Sequence, residues 1–171
     1  MEEVILVDER DNELGVMEKL KAHKLGLLHR ALSIFVFNDK KELLLQQRAA
    51  DKYHSANLWS NTCCSHPRPN ELPQDAANRR LMEEMGMQCE LHYKFNFVYN
   101  ATLENKLIEH ELDYVFVGTT NVLPAINRAE VSNWRYVSLD NLTYEINTTP
   151  ELFTEWFKIC FSTYYAQIFA L

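Results

Sequence analysis

Nothing in this 171-residue chain is long and apolar enough to span a bilayer; runs such as Ile34 to Phe37 are only strand-length. The opening residues, Met1 to Ile5, are acidic and lack the basic-then-apolar order of a secretory signal. Low-complexity stretches, internal repeats and linkers are also missing, so residues 1–171 read as one globular domain. Basic charge is scarce. Lys and Arg number 17 against 24 Asp and Glu, a net charge of −7, which argues against a general nucleic-acid binder but leaves room for a local basic pocket. The four cysteines, Cys63, Cys64, Cys89 and Cys160, have no paired metal spacing, and the adjacent Cys63 and Cys64 are poor disulfide partners. Reduced thiols in a cytoplasmic protein are the simplest reading, with no nucleic-acid or membrane partner, and with the chain a monomer or weak dimer.

With 47% hydrophobic residues the chain has material for a substantial core. Val4 to Val7 reads as a first strand and Glu18 to Ala22 as a short helical turn leading into His23. His29 to Phe37 turns at Asn38 to Lys41 into Leu43 to Leu45, a hairpin signal. Tyr93 to Ala101 and Leu107 to Val117 form a second hairpin, closed near Glu104 to Lys106, and Trp134 to Val137 is a late strand. Pro150 to Ala170 carries apolar residues at helical spacing. Mixed strands with a few helices predict an α+β domain layered as α/β/α.

Residues Asn61 to Pro67 (Asn-Thr-Cys-Cys-Ser-His-Pro), followed by Glu71 to Gly86, place a thiol, an imidazole and a carboxylate-bearing helix in one short span. Pro73 suits a first helical turn and Gly86 the left-handed residue past the end. Arg80 and Glu84 stand four apart and project from one face, which suits a phosphate and a divalent metal, although such a pair alone is also the ordinary surface ion pair. Glu109 and Glu111 flank His110 on a strand. Alternation puts both carboxylates on one face, with Cα atoms roughly 6.5–7 Å apart. Two like charges turned inward need a cation or a proton. His23, His29 and His66 together with Glu109 and Glu111 make a plausible nitrogen–oxygen site for a transition metal or zinc. His54, His92 and His110 are read as structural or surface residues, and Cys63, Cys89 and Cys160 as buried structural cysteines.

The spacing of Glu71, Arg79-Arg80, Glu83-Glu84 and Gly86 resembles the Nudix box, with Ser65 where the box opens on Gly and Arg80 where it carries Glu. Gln47-Arg48 with the Asn61 to Pro67 string resembles the type 1 isopentenyl-diphosphate isomerases, which keep the Nudix scaffold and change its chemistry. The resemblance runs from about Val4 to the C-terminal helix. It implies a Nudix-type α/β/α sandwich with a mixed sheet, and His23, His29, His66, Glu109 and Glu111 as ligands of one divalent ion, Mn²⁺ or Zn²⁺. It further implies a Mg²⁺ at Glu84 and the Cys64 backbone carbonyl, and diphosphate contacts at Lys19, Arg48, Lys52 and Arg80. Double-bond migration through a tertiary carbocation needs proton-transfer groups on opposite sides of a dry pocket. Cys64 and Glu111 are the candidates, with Tyr99 beside Glu111 on the protonation side, Cys64 as acceptor, and Trp156 lending its ring face to the cation. Trp156 lies in Phe153 to Phe157, where Glu155 replaces the family's Pro; Ala56-Asn57 likewise replaces Pro-Gly. The alternatives are a Nudix hydrolase of a nucleoside or other diphosphate, and a diphosphate-binding domain without turnover.

Overall fold

The chain folds around one mixed nine-stranded sheet, seen in a computed structural model that describes residues 2–169. Strands are β1 (Glu3–Val7), β2 (Glu13–Glu18), β3 (His29–Phe37), β4 (Leu43–Arg48), β5 (Trp59–Ser60), β6 (Cys63–Ser65), β7 (Leu91–Thr102), β8 (Ile108–Thr119) and β9 (Val131–Val137). Helices are α1 (Lys19–Leu25), α2 (Pro73–Met85), α3 (Leu139–Thr148), α4 (Glu155–Thr163) and α5 (Tyr165–Phe169). The organising contact is β3 beside β8, parallel and in register from His29 opposite Glu111 to Phe37 opposite Thr119. The other strand pairings among the described residues are antiparallel: β1 with β2 and β3, β3 with β4 and β6, β4 with β5 and β9, and β7 with β8.

Alternation along β3 builds both cores. Leu32, Ile34 and Val36 pack with Ala76, Ala77, Leu81 and Met85 of α2 on one face. Phe35 and Phe37, of opposite parity, meet Phe157, Cys160, Phe161 and Phe169 of α4 and α5 on the other. The same parity on β8 puts Phe116 toward α2 and Val115 and Val117 toward α4, so Glu109, Glu111 and Asp113 fall on the α4 face. His110 points away and meets the carbonyl of Gly26 through Nδ1 at 3.1 Å, as the alternation requires.

The α+β layered architecture, the β7–β8 hairpin and the box helix stand as expected, whereas β3 and β4, joined by the expected turn, pair only at Phe37 and Leu43 before running with β8 and β9. Three elements differ. The C-terminal segment is not one helix: a 3₁₀ turn (Pro150–Leu152) leads to Phe153, which bridges to Trp59, and α4 and α5 are separated at Tyr164. Ala170, the predicted end of that helix, lies outside the described residues, as do Met1 and Leu171. Helix α3 and strand β2 were not expected. Helix α2 starts at Pro73 and ends on Gly86, whose φ is +62°; a Cβ there would meet the Ala125 carbonyl oxygen at 2.2 Å, so glycine is required. Among the described residues, no helix is long and apolar enough to cross a membrane.

Candidate active site

A cavity of about 310 Å³ opens where β3, β6, β7, β8, α2 and α4 converge, small but within the range of ligand pockets. Eleven residues foreseen as functional line it: Lys19, Arg48, Lys52, Cys64, His66, Arg80, Glu84, Tyr99, Glu109, Glu111 and Trp156. His23 and His29 stand behind its wall, both essentially without solvent contact.

Carboxylates and imidazoles form the first cluster. Glu111 Oε1 faces the Nε2 atoms of His66, His29 and His23 at 3.0, 3.4 and 3.7 Å. The Nδ1 atoms of His23 and His29 sit 2.8 and 2.7 Å from the carbonyl oxygens of Lys19 and Leu27, which can only accept. Nδ1 therefore carries the proton in both rings, and in the neutral imidazoles each Nε2 is a bare lone pair turned toward a carboxylate. Both Nε2 atoms are buried and without a hydrogen-bond partner. Lone pairs converging on an anion repel unless a cation lies among them, and these four ligand atoms lie within 4.8 Å of one another. The donor set fits a divalent transition metal. Glu109 is not in that group; its carboxylate gathers instead with His23 and with His54, which the sequence reading had set aside.

Tyr99 stands directly opposite Glu111 across the β7–β8 hairpin. Its hydroxyl donates to Glu111 Oε2 at 2.6 Å and reaches Glu109 Oε2 at 3.2 Å. Burial pushes Glu109 well above the usual carboxylate range, reinforced by the charge of Glu111. Burial acts on Glu111 in the same direction; positive charge or donors at the Nε2 positions of His23, His29 and His66 would outweigh it and lower Glu111. With Nε2 of His23 and His29 as lone pairs, that role falls to a cation among them. Burial brings the His66 imidazole down to about 4, against the pull of Glu111.

The thiol belongs to a second cluster. Register places Cys64 beside Ser33 of β3. Its Sγ donates to Asn61 Oδ1 at 2.8 Å and accepts from Trp156 Nε1 at 2.9 Å. Asn61 is wholly buried and its amide is locked, because Nδ2 donates to the carbonyls of Ile34 and Cys63 at 3.1 and 3.0 Å. Only the amide oxygen is left for the thiol. Burial pushes the Cys64 thiol far up, and the charge of Asp113 adds to that. Asp113, held by Ser33 Oγ at 2.7 Å, continues the inward column of Glu109 and Glu111. Asn61 stood in the recognised string without a role; its function shows only once its amide partners are known.

The third cluster is cationic. Arg48 lies 5.1 Å from the Trp156 ring and binds the carbonyls of Ser55 and His54, each at 3.2 Å. Arg80 is held by Glu83 at 2.7 Å and pairs with Glu84, whose second oxygen accepts from Gln46 Nε2 at 2.9 Å. Burial works against the Arg80 charge, but Glu84 more than restores it. Lys52 pairs with Glu130, which also approaches Arg80 at 3.6 Å, and Lys19 pairs with Glu2 at 3.1 Å. The α2 helix is fixed to its preceding loop by Glu71, which takes two hydrogen bonds from Arg79 at 2.6 and 2.7 Å and one from the Arg68 amide at 2.8 Å.

This fold and box helix define a Nudix-type protein, and the family model of the NUDIX domain matches residues 27–157. The crystal structure of DR0079 from Deinococcus radiodurans superposes with a TM-score of 0.73 over 86% of this chain and 90% of its own, at 18% identity, which bears on the fold alone. Among curated proteins, the isopentenyl-diphosphate Delta-isomerase of Pectobacterium atrosepticum is 54% identical over 160 residues, spanning 94% of this chain and 89% of its own length. Isopentenyl-diphosphate Delta-isomerase 2 of Aromatoleum aromaticum is 53% identical over 93% of this chain and 84% of its own. The chain belongs to the isopentenyl-diphosphate Delta-isomerase family of NUDIX-domain proteins.

Proposed function

We propose that this protein interconverts isopentenyl diphosphate and dimethylallyl diphosphate for isoprenoid synthesis, as a cytoplasmic monomer or weak dimer. The observation that carries the reading is one small cavity lined by a thiol, a carboxylate–phenol pair, an indole and clustered cations. Arg48, Lys52, Arg80 and Lys19 hold the diphosphate; Arg80 can clamp oxygens with two donors while the lysines act as point charges. Lys52 and Arg80 are occupied by Glu130 and Glu84, so substrate binding exchanges those carboxylates for phosphate oxygens. Divalent ions, Mg²⁺ at Glu84 and the Cys64 carbonyl and Mn²⁺ or Zn²⁺ at His23, His29, His66, Glu109 and Glu111, would supply charge that neutralises the diphosphate and compensates the buried carboxylates.

In the forward direction Glu111 with Tyr99 delivers a proton to the terminal methylene carbon, leaving a tertiary cation. Trp156 stabilises it, and Cys64 removes a proton from the neighbouring methylene, so that the C–H electrons become the new double bond. Each turnover moves one proton in and one out. A forward turnover leaves the thiol protonated and Glu111 ionised, so a proton must return from Cys64 to Glu111 before the next. The Trp156 N–H favours the thiolate and the Asn61 carbonyl favours the thiol, so the two partners bracket both states.

The test is incubation with isopentenyl diphosphate and Mg²⁺ in D₂O followed by NMR, with Cys64→Ala and Glu111→Gln alongside. Deuterated dimethylallyl diphosphate, lost in both variants, is expected. Product from Cys64→Ala would remove the thiol from its role; phosphate release without isomer would indicate a hydrolase, and neither, in metal-loaded protein, a binding domain.

A further inference from the structure

His54 sits on the loop between β4 and β5 with its side chain only 6% exposed. The loop turns inward at Ser55, a non-glycine residue at φ +50°, and Arg48 pins the carbonyls of both His54 and Ser55. Three rings fix the imidazole itself. It lies edge-on to Tyr53 at 4.5 Å and to Trp156 at 6.0 Å, and stacks on His23 at 6.1 Å. Its Nε2 is 3.9 Å from Glu109 Oε1, and the ligand atoms of His23, His54 and Glu109 lie within 4.8 Å of one another. Its Nδ1 meets the Ser55 hydroxyl at 3.3 Å. An oxygen thus faces Nδ1 as in His23 and His29, and when the Ser55 hydroxyl accepts, Nε2 is left as a lone pair toward Glu109, the arrangement that orients metal-bound imidazoles.

His23 belongs to both ligand groups, and with Nδ1 committed to Lys19 it has a single free lone pair. One sp² lone pair binds one ion, so the two groups surround one ion rather than two. We propose that His54 is a fourth imidazole ligand of that ion, which then has six donors: His23, His29, His54, His66, Glu109 and Glu111. The proposal rests on the metal centre of the preceding section and extends it. Four imidazoles to two carboxylates tilt the site toward borderline first-row ions such as Zn²⁺, Co²⁺ or Ni²⁺ and away from hard, oxygen-preferring ones.

The experiment loads metal-stripped full-length protein with Co²⁺. Affinity is read by competition with a chelator, and the exchangeable ring N–H protons shifted by the paramagnetic ion are counted by NMR. His54→Phe keeps a ring against His23, Tyr53 and Trp156 but has no nitrogen; His110→Ala, whose ring lies on the opposite face of β8, is the control. The expectation is four shifted ring protons in the wild type and in His110→Ala, three in His54→Phe, and about 10- to 100-fold weaker Co²⁺ binding in His54→Phe alone. Three protons in every protein with tight binding retained would overturn the proposal and leave the metal centre standing. Weaker binding in His54→Phe with three protons already in the wild type would also overturn it, making His54 a support for Glu109. No Co²⁺ bound by the wild type would overturn both.

Discussion

Replacing Trp156 with Phe separates the two things the indole does, because it deletes the N–H that reaches Cys64 Sγ at 2.9 Å and leaves an aromatic face beside Arg48 and His54. A donor aimed at sulfur stabilises the thiolate more than the thiol, so its loss raises a thiol pKa that burial has already raised. Hydrogen bonds to charged groups contribute about 1.5–3 kcal/mol, and sulfur is a weak acceptor, so about 1.5 kcal/mol is appropriate. At 1.36 kcal/mol per unit that is roughly one pKa unit, hence about tenfold slower alkylation of Cys64 at any pH below its pKa. Iodoacetamide labelling across pH, resolved by peptide mass spectrometry, measures this directly. Cys89, half-buried on α2's side of the sheet, serves as an internal control for an intact fold. Turnover should fall by a similar or larger factor, because phenyl is also the poorer partner for a cation. A Cys64 labelling profile that overlays the wild type, with Cys89 unchanged, would show that the indole N–H does not tune the thiol and would refute the bracketing role given to Trp156.

Glu111→Gln leaves the imidazoles of His23, His29 and His66 without their shared carboxylate and should lower kcat by about 10²- to 10⁴-fold, measured by isomer formation. Removing metal with a chelator should lower the melting temperature, since an ion held at a thousandfold over its Kd stabilises the fold by about 4 kcal/mol; an unchanged melt would exclude a resident ion. Arg79 holds Glu71 below the usual carboxylate range, so the stability this pair contributes is present above pH 4.5 and lost as pH falls through the lowered pKa. Glu71→Gln should therefore cost about 1 kcal/mol at pH 7 in urea unfolding and converge on the wild type in acid. Gly86→Ala drives a Cβ into the Ala125 carbonyl at positive φ and should destabilise by about 2–4 kcal/mol, read as a lower urea midpoint.

What could be read from sequence was whatever local pattern encodes. Alternation along Leu107 to Val117 put Glu109 and Glu111 on one face and His110 on the other, but the strand pattern did not say which face is inward; the histidines elsewhere in the chain pointed to that, and Tyr99 does stand against Glu111. The β3–β8 pairing was not legible, because a parallel register between strands so distant in sequence leaves no local trace. Helix α3 was missed although its signals were local: Ser138 caps it, and Leu139, Leu142 and Ile146 form a short apolar stripe at helical spacing against the core. The apolar periodicity did survive within Glu155–Thr163 and Tyr165–Phe169, yet periodicity cannot register the break at Tyr164, which is set by backbone geometry and not by an apolar position. His54 looked ordinary because its loop has no pattern at all; only the approach of Glu109 from β8 and His23 from α1 gives it company.

Arg80 explains how a scaffold shared with hydrolases can turn to carbon chemistry. At that point of the box helix a carboxylate would join Glu83, Glu84 and Glu130, four acids able to gather ions and orient water near a phosphate. Arginine there instead binds Glu83, pairs with Glu84 and approaches Glu130, so one residue both neutralises the helix face and offers donors to an anion. Glu111, the carboxylate proposed to react, comes from a different element and faces three imidazoles and a phenol inside the α4 face. On the proposed assignment, charge stabilisation for the diphosphate and proton transfer to carbon fall to separate walls of one cavity: Lys19 of α1, Arg48 of β4, Lys52 of the β4–β5 loop and Arg80 of α2 for the first, and β6, β7, β8 and α4 for the second. Hydrolysis needs a base at the phosphorus, where this site presents cations. Isomerisation needs acid and base around a short hydrocarbon held at a distance from its own phosphates, a division that Arg80, in the proposed role of diphosphate contact, would favour.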